Sequence, residues 1–94
     1  MSSGGETIRR RVIARGRVQG VFFRASLERL AGELGVAGSA RNRSDGSVEA
    51  VFEGQREAVE GMISFAAEGP EGARVSNLEV SEEPPEGASG FDVG

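Results

Sequence analysis

Two runs of different hydrophobic period meet near the start of the chain, and their junction restricts the folds open to it. From Ile8 to Val18 the apolar residues Ile8, Val12, Ala14 and Val18 share one parity, as in a strand with one buried face. From Phe23 onward they recur at Phe23, Leu27, Leu30, Ala31 and Leu34, one face of a helix that Gly35 closes. The change of period falls at Gly20, a residue free to take positive φ.

The rest of the chain repeats the scheme. A short strand over Val36 to Asn42 leads into Arg43-Ser44-Asp45-Gly46, whose Asp-Gly pair signals a hairpin. The returning strand, Ser47 to Gly54, turns Val48, Ala50 and Phe52 one way and Glu49, Val51 and Glu53 the other. A second helix over Gln55 to Glu68 carries the stripe Ala58, Val59, Met62, Phe65 and Ala66, and Gly69-Pro70 ends it. Residues 73–81 form a strand with Leu78 and Val80 on one face. The polar loop EEPPEGAS follows, and Gly90 to Val93 give a last short strand. The order β-α-β-β-α-β plus a terminal strand predicts an α+β, ferredoxin-like sandwich. It has a mainly antiparallel sheet of four to five strands, two helices on one face, and Arg, Glu and Ser on the other. Residues 1–7 read as a flexible N-terminal tail and 8–94 as a single domain.

Composition narrows the chemistry. The chain has no Cys, His, Tyr or Trp, which removes thiolate chemistry, the usual acid–base residue, the usual metal ligands and most stacking partners. All 11 basic residues are arginine, for which codon bias is the plainest reading. A net charge of −4 argues against a general nucleic-acid binder. No signal peptide or membrane span is visible, so a cytoplasmic location is expected. Glu49 and Glu53, and Glu57, Glu60 and Glu68, read as solvated charged faces rather than a metal-ligand set.

The first helix begins badly. GRVQGVFFR offers no Ser, Thr, Asp or Asn to cap the free N–H groups, and Arg24 sits in the first turn, where a positive charge opposes the dipole. A bound anion would resolve both oddities, with Gly20 turning successive N–H groups inward and the Arg24 fork meeting the same anion. Gly20 acting as an ordinary N-cap, with Arg24 in water or paired with Glu28, would serve equally. The stretch matches neither G-x-x-x-x-G-K-[ST] nor G-x-G-x-x-G, which sets nucleotide fingerprints aside. In ARNRSDGSVEA, Asn42 stands beside a turn, where asparagine commonly makes local hydrogen bonds, and Arg41 and Arg43 read as a solvated strand end.

Together GRVQGVFFR and RNRSDGSVEA resemble the acylphosphatases, small hydrolases of acyl phosphates. The likeness continues through Glu68-Gly69-Pro70, Gly72-Ala73-Arg74-Val75 and Gly90-Phe91, and covers the chain from about residue 8 to 93. Ser39, where many relatives have tryptophan, and the terminal Gly94 depart from the pattern. The resemblance implies a βαββαβ fold and a phosphate cradle formed by Arg17, Val18, Gln19, Gly20, Val21, Phe22 and Phe23. Arg24 is then the essential arginine and Asn42 positions the attacking water. The expected substrate is a small acyl phosphate, with inorganic phosphate as product and competitive inhibitor. No cofactor, metal, nucleic acid or membrane is expected, and the protein should be a monomer.

That chemistry suits these residues. The departing carboxylate has a conjugate-acid pKa of roughly 4, so no general acid is required. Phosphoryl transfer asks chiefly for positioning and charge stabilisation, and no nucleophile with an activating base is visible; Ser26 and Ser39 lack one. Two rivals remain: an RNA-recognition module using Arg9, Arg11 and Arg15 on the open sheet face, and a non-catalytic domain that binds phosphate in the same cradle. Arg–Glu cross-strand pairing accounts for the first without RNA.

Overall fold

A computed structural model describes residues 6–94. Its elements are β1 (Thr7–Arg17), α1 (Phe23–Leu34), β2 (Ala37–Asn42), β3 (Val48–Gln55), α2 (Arg56–Glu68), β4 (Arg74–Glu83) and β5 (Phe91–Val93). The tail expected over residues 1–7 lies outside the described residues up to position 5, and Thr7 already belongs to β1.

The five strands run in the order β4-β1-β3-β2-β5. β1 pairs antiparallel with β3 and β4, β2 antiparallel with β3, and β5 parallel with β2. β1 and β2 therefore point the same way. Their C-terminal ends, carrying Arg17 and Asn42, lie at one end of the sheet together with the start of β4. The apolar parity of β1 (Ile8, Val12, Ala14) and of β3 (Val48, Ala50, Phe52) is buried under α1 and α2. The helices contribute Phe23, Leu27 and Ala31, and Val59, Met62 and Ala66. This is the expected ferredoxin-like sandwich. Leu78 and Val80 were expected to share a covered face, yet Leu78 is half-buried and Val80 exposed. β4 is an edge strand, and helix cover fades towards the edge.

The opposite face is less open than the pattern suggests. Arg9 stands opposite Glu53 on β3 and Glu83 on β4, and its guanidinium bonds to both, at 3.0 and 2.9 Å. Arg11 bridges Glu49 and Glu83, and Arg15 pairs with Glu79. The segment after β4 folds back over this network, so that the Glu53 carboxylate accepts N–H groups of Glu86, Gly87 and Ala88 at 2.8–3.1 Å. Val51, Glu53 and Arg9 are buried as a result. The Glu53 carboxyl is held at about 2, below its usual 4.5. The N–H of Glu86 acts most strongly, burial opposes it, and Arg9 and the other two N–H groups assist.

One glycine redirects β1 towards the site. The β1–β4 register shifts between Arg15 and Gly16, and Gly16 takes φ 128°. A Cβ at this position would lie 2.1 Å from the Arg74 carbonyl oxygen, so the bulge admits only glycine. Beyond it the chain leaves the sheet and enters the loop that starts α1.

Candidate active site

The α1 N-terminus lacks a protein cap. Its N-cap residue is Phe22, which makes no side-chain cap bond, and no acidic residue occupies the first turn. Gly20 is therefore not the N-cap. The first helical bond runs from the Ser26 N–H to the Phe22 carbonyl at 2.9 Å. Among the described residues, the N–H groups from Gln19 to Ala25 donate to no protein acceptor. Gly20 and Phe22 both take left-handed backbone, at φ 75° and 60°. The glycine does so freely. Phe22 is the sole non-glycine with positive φ among the described residues, a conformation costing about 1–3 kcal/mol for such a side chain, and its ring is 82 % exposed. Local strain with an outward-facing ring leaves a row of free N–H donors at a positive helix end. That is the electrostatics of an anion site.

Arg24 and Asn42 meet in one cleft of about 290 Å³, lined also by Val18, Gly20, Phe22, Phe23, Ala25 and Val93. Arg24 is half-buried in the first helical turn, and the alternative Arg24–Glu28 pair does not form: no carboxylate approaches Arg24 among the described residues. Asn42 ends β2, opposite Val48, and its side chain makes no hydrogen bond among the described residues. The local-turn role open to Asn42 is instead filled by Asp45, whose carboxylate accepts the Ser47 N–H and hydroxyl.

The remaining predicted cradle residues separate by side chain. Val21 packs on the core. Arg17 points to a neighbouring groove with Gly72, Ala73 and Arg74, its register partner on β4. Gln19 turns away from the cleft, its Nε2 donating to the carbonyls of Arg43 at 2.8 Å and Ser47 at 3.0 Å. For these three only the backbone is available to the loop. Ala25 and Val93 are wall residues that the sequence did not single out. Ala25 merely follows Arg24, and Val93 reaches the cleft because β5 adds to the β2 edge, for which no motif exists.

Charge distribution marks the same region. Arg9, Arg10, Arg11, Arg15, Arg29 and Arg56 each have a carboxylate within 3.9 Å. Among the described residues Arg17, Arg24, Arg41, Arg43 and Arg74 have none, and all five lie at the cleft end of the sheet. No group of three or more potential metal ligands exists among the described residues.

The family model described as acylphosphatase matches residues 10–93. An acylphosphatase of Rubrobacter xylanophilus is 53 % identical over 94 residues, covering 99 % of this chain and 86 % of the relative. One of Haloarcula marismortui is 51 % identical over 85 residues, covering 90 % and 93 %. Among solved structures, an acylphosphatase from Coxiella burnetii superposes with a TM-score of 0.89 at 39 % identity, covering 94 % of this chain and 93 % of that one. With a family model matched over residues 10–93, curated relatives at about half identity and the same fold in solved structures, the chain belongs to the acylphosphatase family.

Proposed function

We propose that this protein hydrolyses acyl phosphates to carboxylate and inorganic phosphate by direct attack of water on phosphorus. The observation that carries the mechanism is the row of free N–H groups from Gln19 to Ala25 meeting Arg24 and Asn42 at one cleft. The phosphoryl oxygens accept the loop N–H groups and the Arg24 guanidinium. These donors are fixed before substrate arrives, and they gain as charge grows on the equatorial oxygens. Asn42 aligns the attacking water through its amide; it is no strong base, and a loose transition state needs little deprotonation of the nucleophile. The P–O bond to the acyl oxygen breaks as the water–phosphorus bond forms, and the carboxylate leaves unprotonated. No covalent intermediate and no metal takes part. On the same reading the domain over residues 8–94 acts as a cytoplasmic monomer, with phosphate as product and competitive inhibitor.

The test is an assay with acetyl phosphate. Arg24→Ala should lower kcat/KM by about 10²–10³ and weaken phosphate inhibition with it. Asn42→Ala should lower kcat by a similar factor while leaving phosphate affinity within about threefold. Full activity in both variants rejects the assignment. Wild type that binds phosphate without turnover makes the protein a binding domain.

A further inference from the structure

The Gln19 side chain has no place in the chemistry above, yet it is the direct link between the two halves of the site. Its Nε2 reaches the Arg43 carbonyl at 2.8 Å and the Ser47 carbonyl at 3.0 Å. Those two groups are the mouth of the β2–β3 hairpin: the Arg43 N–H itself donates to the Ser47 carbonyl at 2.8 Å. Arg43 follows Asn42 directly, and Ser47 precedes Val48, the register partner of Asn42. Both neighbours of Nε2 are pure acceptors, so only the NH₂ end of the amide can face them, which fixes its orientation. Among the described residues no other hydrogen bond joins the loop to the hairpin, and β1 and β2 are separated in the sheet by β3.

We infer that Gln19 is a positioning residue for hydrolysis: a strut that sets the distance between the phosphate held by the loop and the water held by Asn42. The inference rests on the hydrolytic reading proposed above. A nucleophile must stand in line with the leaving oxygen, and small misplacement of the reacting groups costs rate steeply. The loop supplies the phosphorus position and β2 supplies the water position. The two hydrogen bonds of one side chain tie them across 24 and 28 residues of sequence. Half-buried and planar, the amide holds two carbonyls at once, which a single hydroxyl or a flexible ammonium would do with less geometric definition.

Gln19→Met keeps length and volume and removes both donors. With acetyl phosphate, it should lower kcat about 10- to 100-fold while the inhibition constant of inorganic phosphate stays within about threefold. Combined with Asn42→Ala, it should cost less than a further twofold, because a strut has nothing to place once the amide of Asn42 is gone. Independent losses that multiply in the double variant overturn the strut. So does a phosphate constant that worsens in step with kcat, which would confine Gln19 to the cradle, and so does unchanged kcat. Each of these is read against an active wild type; an inactive wild type overturns the hydrolytic reading and the strut with it. Unchanged thermal midpoints in Gln19→Met exclude misfolding as the cause of a lower rate.

Discussion

Arginines lie in two opposite settings in this molecule. On the solvent side of the sheet Arg9 has Glu53 and Glu83 at hydrogen-bond distance, and Glu53 is further met by three backbone N–H groups. At the start of α1, Arg24 has no carboxylate among the described residues, beside N–H groups that donate to nothing. The first setting is closed: Arg9 is held between carboxylates of its own chain, two of them at hydrogen-bond distance and Glu86 at 3.6 Å. The second leaves its donors unanswered and holds Phe22 in left-handed backbone beside them. Completed networks serve stability; an incomplete one, held rigidly, is suited to a visitor.

The widest gap between the two should show on removing each arginine. Arg9→Ala leaves the buried Glu53 charge without its cation, with only backbone N–H partners, and should cost about 3 kcal/mol of stability by urea melting, with turnover per folded molecule unchanged. Arg24→Ala should do the reverse, raising stability by about 0.3–1 kcal/mol as a charge opposing the dipole is lost, while activity collapses. A destabilised Arg24→Ala would break the contrast.

Acid should separate them next. Because the Glu53 carboxyl is lowered from 4.5 to about 2 in the fold, its contribution is complete above pH 4.5 and is lost as the pH falls towards 2. The shift corresponds to about 3 kcal/mol. Glu83, held low first by Arg11 and then by Arg9, adds to the trend in the same direction. Urea midpoints at pH 5 and pH 2.5 should differ accordingly, and Glu53→Gln should flatten the dependence.

The smallest effect concerns the open setting. Inorganic phosphate at ten times its dissociation constant should stabilise the wild type by about 1.4 kcal/mol, and Arg24→Ala by less at the same concentration. Equal stabilisation of both would place the anion elsewhere.

Most of the architecture was legible because it depends on local period. The stripes of α1 and α2 and the parity of β1 and β3 need only near neighbours to be read. The motif residues Arg24 and Asn42 were legible together, and the strands bring them to one cleft as β1 and β2 run in the same direction. What escaped was set by distant backbone. Glu53 looked solvated because its partners are N–H groups of residues 86–88, which have no side-chain signature. The tie made by the Gln19 side chain was not legible because its partners are carbonyls of a hairpin far along the chain. Val93 enters the cleft only because β5 docks beside β2.

The gathering of Arg17, Arg24, Arg41, Arg43 and Arg74 at one end has a further consequence, in time rather than in binding. The chain carries net charge −4, so an approaching dianion is repelled by the molecule as a whole. Within about a Debye length of the cleft end the five arginines unpaired among the described residues oppose that repulsion, and they should draw the dianion inward. The protein thus orients its own collisions. Encounters at the cleft end should be favoured over those elsewhere, a bias that added salt should weaken.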